Sequence, residues 1–281
     1  MRVERTQAGV RALARAARGA GRTIGLVPTM GALHDGHLAL VRAARSGNDT
    51  VIASVFVNPL QFGASEDLGA YPRDEGRDLR LLEGAGTDVV FAPSMEEMYP
   101  PGRQVTVCAG PLGRVLEGAE RPGHFDGVCT VVSKLLNLAG PDRAYFGRKD
   151  AQQVAVVRSL VADLSYGVEI VECPTVRAPD GLALSSRNAY LSAGDRGRAT
   201  ILWRALVAGR EAIDRGADSD EAERVMRAEF AREPEVELGY ARAVDPDTFD
   251  APRDGRRVLL AVAARVGGTR LIDNLLVEKG R

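Results

Sequence analysis

Lysine is almost missing from this chain. Of its 37 basic residues only Lys134, Lys149 and Lys279 carry an ammonium, and the rest are arginine. The bias reads as coding composition, yet it makes a lysine kept inside a polar motif informative, because a compact ammonium and a planar guanidinium are not interchangeable at a phosphate. Cysteine is scarce too: Cys108, Cys129 and Cys173 are odd in number, far apart and without paired spacing. That argues against a disulfide framework or a zinc ligand set and points to a reducing cytoplasm, with the thiols as buried filler. Neither sign of charge is in excess. The formal net charge is -1, so no global field draws in nucleic acid or an anionic membrane, and an anion site has to be local. No apolar run approaches the roughly 18 residues of a membrane span, and the opening lacks the apolar stretch of a secretory signal. The arginine-rich stretch 1–22 superficially resembles a transit peptide, but it holds Glu4 and no serine; a surface helix is expected there.

The chain has 281 residues, 45% hydrophobic and 27% charged, which are globular values compatible with two modest domains. Val- and Ile-containing runs at 23–27, 51–57, 88–91 and 168–173, with a further strand-like run at 143–147, alternate with helical patterns at 6–20, 124–139 and 150–164. This order predicts an α/β domain with a doubly wound, Rossmann-like parallel sheet. Beyond Cys173 the texture changes to two helices near 192–215 and 219–232 and strands near 236–244, 256–266 and 269–278, with Gly267-Gly268 as a hairpin turn. We expect residues 1–175 to form the Rossmann-like ligand-binding domain and 176–281 a smaller α+β lid domain.

The polar motifs follow strands, where doubly wound sheets bind ligands. Pro28-Thr29-Met30-Gly31-Ala32-Leu33-His34-Asp35-Gly36-His37 joins the first buried strand to a helix and holds two of the three histidines. Gly31 and Gly36 remove bulk where backbone must approach a ligand, and amides at the start of the helix favour an anion. The stretch therefore reads as a phosphate cradle. A helix terminus supplies only about 0.3–2 kcal/mol, whereas enzymes lower barriers by about 8 kcal/mol or more, so other cations must converge. The candidates are Lys149, in Gly147-Arg148-Lys149-Asp150, and Arg187, in Leu184-Ser185-Ser186-Arg187-Asn188. Five of the ten side-chain amides, Asn58, Gln61, Gln152, Gln153 and Asn188, crowd into the windows 56–62, 145–153 and 184–188.

These motifs, taken in order as PTMGALHDGHLALV, FVNPLQF, YPR, RPGHFDGV, GRKDAQQ, DGLALSSRN and TRLIDN, resemble the pantoate–β-alanine ligases, a family of the HxGH nucleotidyltransferase superfamily. The resemblance covers nearly the whole chain. It implies that ATP and pantoate, with Mg²⁺, form a bound pantoyl adenylate and pyrophosphate, and that the amine of β-alanine then displaces AMP. Carried over by position, it implies catalytic roles for His34, His37, Lys149 and Arg187. Met30, Gly31, Ala32, Leu33, Asp35 and Gly36 would line the ATP site with the histidines. Gly147, Arg148, Lys149, Asp150, Leu184, Ser185, Ser186 and Arg187 would contact ATP, with the Val176 backbone at adenine. Gln61 and Gln153 would bind pantoate, with Asn58, Pro28 and Met30 alongside. A homodimer is the family expectation; no protein-held metal site is assigned, and no nucleic-acid or membrane partner.

Plainer readings stand beside several of these residues. His34 and His37 would make half a zinc site, for which the third ligand would have to be His124 or a distant Cys or acid. His124 suits a polar helix start as well as a substrate contact, and Val131 and Val132 suit a helix core as well as a wall for the methyl groups of pantoate. Asp78, a conceivable metal-proximal acid, reads as a solvated helix residue. Arg148, Ala151 and Leu184 depart from the family pattern, which bears on rate more than on reaction class. HxGH alone would equally serve an enzyme that leaves its acceptor nucleotidylated, or a non-catalytic nucleotide binder.

Overall fold

A computed structural model of the chain describes residues 1–63, 66, 68–252 and 257–278; Lys279 lies outside the described residues. By its internal contacts the chain separates into two compact units, residues 1–147 with 156–173 and residues 148–155 with 174–281. The contiguous division expected at 175 differs from this in two respects: residues 148–155, the turn after Gly147 and the start of the helix that follows, group with the C-terminal unit, and the break falls after Cys173.

The first unit is built on strands β1 (Arg2–Glu4), β2 (Ile24–Thr29), β3 (Thr50–Val55), β4 (Val89–Phe91), β5 (Arg143–Gly147) and β6 (Glu169–Cys173). They form one sheet in the order β1-β4-β3-β2-β5-β6, with every pairing parallel. Connecting them are helices α1 (Gln7–Gly19), α2 (Asp35–Gly47), α3 (Glu75–Gly84), α4 (Met95–Met98), α5 (Glu117–Glu120), α6 (His124–Ala139) and α7 (Ala151–Asp163). Central strands β2 and β3 are buried almost throughout, which is why they read as unbroken apolar runs rather than alternating ones. Thr6 caps α1 by accepting from the Gly9 amide at 3.1 Å, and Val10 and Ala14, one turn apart, are the residues it buries. Helix α6 runs between left-handed Gly123 and Gly140, and thirteen of its sixteen residues are buried. It is therefore an inner helix; Val131 and Val132 are part of that core. Strand β1 opens the stretch where a surface helix was expected. Three residues, one exposed and two half-buried, carry no strand signal of their own, and only pairing with β4 makes them one.

The second unit carries α8 (Ala193–Arg198), α9 (Ile201–Asp214), α10 (Ser219–Phe230) and an antiparallel sheet β7 (Val236–Val244), β8 (Arg257–Val266), β9 (Thr269–Glu278) in that order. Gly267 and Gly268 both have left-handed φ, 53° and 82°; this is what a two-residue hairpin between twisted strands requires. The single helix expected over 192–215 is two. At Ala199 and Thr200 the ladder tightens to Thr200 N–H to Gly197 O at 3.2 Å and Leu202 N–H to Ala199 O at 3.3 Å, a 3₁₀-type step that ends one helix and starts the next.

Candidate active site

The turn after β2 is folded around a carboxylate. Thr29 Oγ accepts from the Gly31 amide at 3.2 Å and donates to Ser54 O at 2.6 Å, tying the end of β2 to β3. Gly31 (φ 80°) and Ala32 (φ 50°) are then both left-handed, a conformation that costs a non-glycine residue about 1–2 kcal/mol. Asp78 of α3 holds them there: its two oxygens accept from the Ala32 amide at 2.8 Å and the Leu33 amide at 2.9 Å. A Cβ on Gly31 would lie 2.9 Å from the same carboxylate, so glycine is needed for space as well as for φ. Arg77 adds a bond to Leu33 O at 2.9 Å. Asp78 is 1% exposed, which corrects its reading as a solvated residue. With both oxygens on backbone amides, it braces the turn.

His34 caps α2. Its Nδ1 accepts from the Gly36 amide at 3.1 Å, and His37 Nδ1 faces the His34 amide at 3.4 Å, a reciprocal capping box. The rings lie 4.1 Å apart, tilted by 38°. Because Nδ1 is the acceptor in each, the neutral rings carry their proton on Nε2. The N–H groups of Gly31, Ala32, Leu33 and Gly36 are bonded inside the protein.

Beyond β3, Pro59–Gln61 form a 3₁₀ turn capped by Asn58. Asn58 is 1% exposed. Its amide nitrogen donates to Gln61 Oε1 at 3.0 Å and Gly127 O at 3.1 Å, and its oxygen accepts from Leu60 N–H at 3.3 Å and the Tyr99 hydroxyl at 2.8 Å. All four positions of this amide are used, so Asn58 sets the orientation of Gln61, turning the Gln61 NH₂ away from itself. The Gln61 backbone carbonyl accepts from His124 Nδ1 at 2.8 Å and Arg121 at 3.3 Å, with Arg121 paired to Glu66 at 2.6 Å. Burial and the adjacent Arg121 guanidinium push the His124 imidazole down to about 4, keeping it neutral and able to donate from Nδ1 while Nε2 faces Arg121 at 3.2 Å. His124 is thus a brace for Gln61. Gly127 allows α6 to approach: a Cβ there would lie 2.2 Å from Leu60 O.

In the C-terminal unit, Arg148–Asp150 form a 3₁₀ turn carrying the Lys149 ammonium 3.3 Å from the Asp150 carboxylate. Gln152 is 5% exposed, whereas Gln153 is half-buried, the separation expected of neighbours about 100° apart on a helix. Residues 176–184 make a small hairpin, with the Leu184 amide on Val176 O at 2.9 Å and an Arg177–Ala183 bridge. Ser185 then caps the turn Ser186–Tyr190 by accepting from the Arg187 amide at 3.3 Å. Arg177 makes a bidentate pair with Asp273 at 2.5 and 2.9 Å and stacks 4.0 Å over Trp203. Burial raises the Asp273 carboxyl and the guanidinium opposes that rise.

Asp78, Tyr99, Arg177 and Asp273 were not singled out from sequence as supports; for Asp273 the TRLIDN segment was a signal. Among the described residues no group of three or more His, Cys, Asp or Glu side chains is placed to hold a metal, and no helix is long and apolar enough to cross a membrane. Cys129 and Cys173 are buried, but Cys108 is exposed, on an irregular segment outside the core, which corrects its reading as filler.

A parallel sheet whose buried strand β2 runs through a glycine turn into a helix capped by paired histidines defines a Rossmann-like protein of the HxGH class. Within it, the family profile described as Pantoate-beta-alanine ligase matches residues 2–276. A pantothenate synthetase of Roseiflexus castenholzii is 53% identical over 280 residues, 99% of this chain and 100% of the relative. The crystal structure of the Thermus thermophilus enzyme is 50% identical, with a TM-score of 0.93 over 98% of this chain and 99% of that one. A Francisella tularensis pantoate-beta-alanine ligase, described as complexed with "Beta-gamma ATP" and β-alanine, is 35% identical, with a TM-score of 0.82 over 100% and 99%. This chain belongs to the pantoate–β-alanine ligase family.

Proposed function

We propose that this chain condenses pantoate with β-alanine at the expense of ATP, through a pantoyl adenylate. The observation that carries the reading is the family match over residues 2–276, which takes in all the motifs. In the first step the pantoate carboxylate, already ionised at neutral pH, attacks the α-phosphorus; a carboxylate–phosphorus bond forms and the bond to the β-phosphate oxygen breaks, releasing pyrophosphate. In the second step the β-alanine amine attacks the acyl carbon, AMP leaves, and the nitrogen loses a proton. No general base is needed in the first step; alignment and charge neutralisation are.

The imidazole Nε2–H groups of His34 and His37, with Lys149 and Arg187, are assigned to the phosphates. Met30 to Gly36, Gly147 to Asp150, Val176 and Leu184 to Ser186 are assigned to the rest of ATP. Gln61 and Gln153 are assigned to the hydroxyls and carboxylate of pantoate, with Pro28 and Met30 as its apolar wall. Asn58 supports Gln61 from behind. Mg²⁺ enters with ATP as the phosphate complex, in keeping with an ion that retains waters and substrate oxygens as ligands. Residues 176–281 serve as a lid domain, the enzyme is a homodimer, and it works in the cytoplasm.

The test is pantoate-dependent exchange of labelled pyrophosphate into ATP without β-alanine, followed by AMP release once β-alanine is added. His37→Ala and Lys149→Ala are each expected to lower exchange by more than about tenfold, equal to roughly 1.4 kcal/mol of barrier. A stable nucleotidylated product, or exchange at the unmodified rate in both folded variants, would overturn the reading.

A further inference from the structure

We infer that Asn274 is a positioning residue for Lys149: its carboxamide holds the Arg148–Asp150 turn in the shape that presents the ammonium, and it governs adenylation without touching substrate. The inference rests on the assignment of Lys149 to the phosphates of ATP. Strand β9 alternates buried and half-exposed positions from Thr269 to Ile272, then breaks that alternation with two consecutive buried polar residues, Asp273 and Asn274. An antiparallel strand with one covered face has no packing reason to bury neighbours on both sides. What these two residues reach supplies one. The Asn274 amide nitrogen donates both its protons, to Arg148 O and to Lys149 O, each at 2.8 Å. Its oxygen is buried with no hydrogen-bond partner among the described residues.

That imbalance carries the argument. Flipping the amide would set its oxygen against two carbonyl oxygens, so its orientation is dictated by the turn. A buried amide with an unmet acceptor is less favourable than an apolar side chain of the same shape, unless the two donated bonds are what the position requires. Two successive carbonyls directed at one donor group leave the turn carrying Lys149 little freedom to relax into a regular helical start. The adjacent Asp273 accepts from the guanidinium of Arg177, next to Val176, and Lys149 lies close enough to Asp273 to stabilise its charged form. One dipeptide of β9 therefore anchors two segments assigned to ATP.

The experiment is a double-mutant cycle on the full chain, read by pantoate-dependent pyrophosphate exchange at varied ATP. Asn274→Ala is expected to lower kcat/KM for ATP by about tenfold or more, and to cause no further loss in a Lys149→Ala background, because residues acting as a unit are not additive. Asn274→Ser keeps one donor and should recover part of the loss; it also carries the cycle should the alanine variant fail to fold. Equal fold losses in both backgrounds would mark general structural damage and overturn the inference. So would Asn274→Ala at the unmodified rate beside an impaired Lys149→Ala, with the assignment of Lys149 left standing. An unimpaired Lys149→Ala removes that assignment and the inference with it.

Discussion

Asp78 is the residue on which the HxGH turn depends most directly, and replacing it by asparagine isolates that dependence. The carboxylate accepts from two buried amides, of Ala32 and Leu33, at 2.8 and 2.9 Å. Asparagine keeps one acceptor and turns an NH₂ toward the other amide, so one charge-assisted bond is lost, about 1.5–3 kcal/mol. Alanine would strip both amides at roughly 1–3 kcal/mol each, a large share of a total stability of about 5–15 kcal/mol, so the asparagine variant is the informative one. Its functional effect comes through Ala32. Without its bond, the left-handed residue relaxes and the histidines that follow shift, and a displacement of about 1 Å at reacting groups costs on the order of 100-fold. Asp78→Asn is therefore expected to lower the urea midpoint by the equivalent of about 1.5–3 kcal/mol and pyrophosphate exchange by about 10- to 100-fold. Lost exchange at an unchanged midpoint would refute the bracing argument and return the carboxylate to a ligand. Both quantities unchanged would refute it outright.

Two further outcomes follow from the support of Gln61. Gly127→Ala places a Cβ 2.2 Å from Leu60 O and 2.5 Å from the Gln61 amide, so α6 and the 3₁₀ turn must part; KM for pantoate is expected to rise by roughly tenfold with KM for ATP little changed, a pattern that initial-rate kinetics will check. The neutral His124 makes stability depend on pH: the unfolded ring takes a proton near 6.5 and the folded one only near 4. Stability is full above pH 6.5 and falls by roughly 3 kcal/mol as pH drops from 6.5 to 4, since the unfolded state binds more protons in that window. In His124→Asn, whose Nδ2 can replace Nδ1 as donor to Gln61 O, urea unfolding across that window should show the slope flattened.

The sheet and most helix boundaries were legible from the chain because their signals are local. Unbroken Val and Ile runs mark strands covered on both faces, and glycines at 123 and 140 bracket α6. The split at Ala199 was not legible, because both residues of the step keep near-helical dihedrals and only the hydrogen-bond register changes. Strand β1 was not, because three residues have no periodicity to read. The motif residues of the site stood out through their scarcity, in a chain with three histidines and three lysines.

Composition and motif order were enough to settle fold class and family, because apolar periodicity and rare polar side chains are properties of neighbours along the chain. Folding alone revealed the supports. Asp78 meets Ala32 and Leu33 across more than forty residues, Asn58 meets Gly127 across 69, and Asn274 meets Lys149 across 125. Each is a buried polar group whose partner is a backbone amide or carbonyl, and backbone atoms leave no trace in residue identity. Side-chain chemistry can therefore be read in advance, but the bonds that aim it emerge only once distant backbone is brought within about 3 Å.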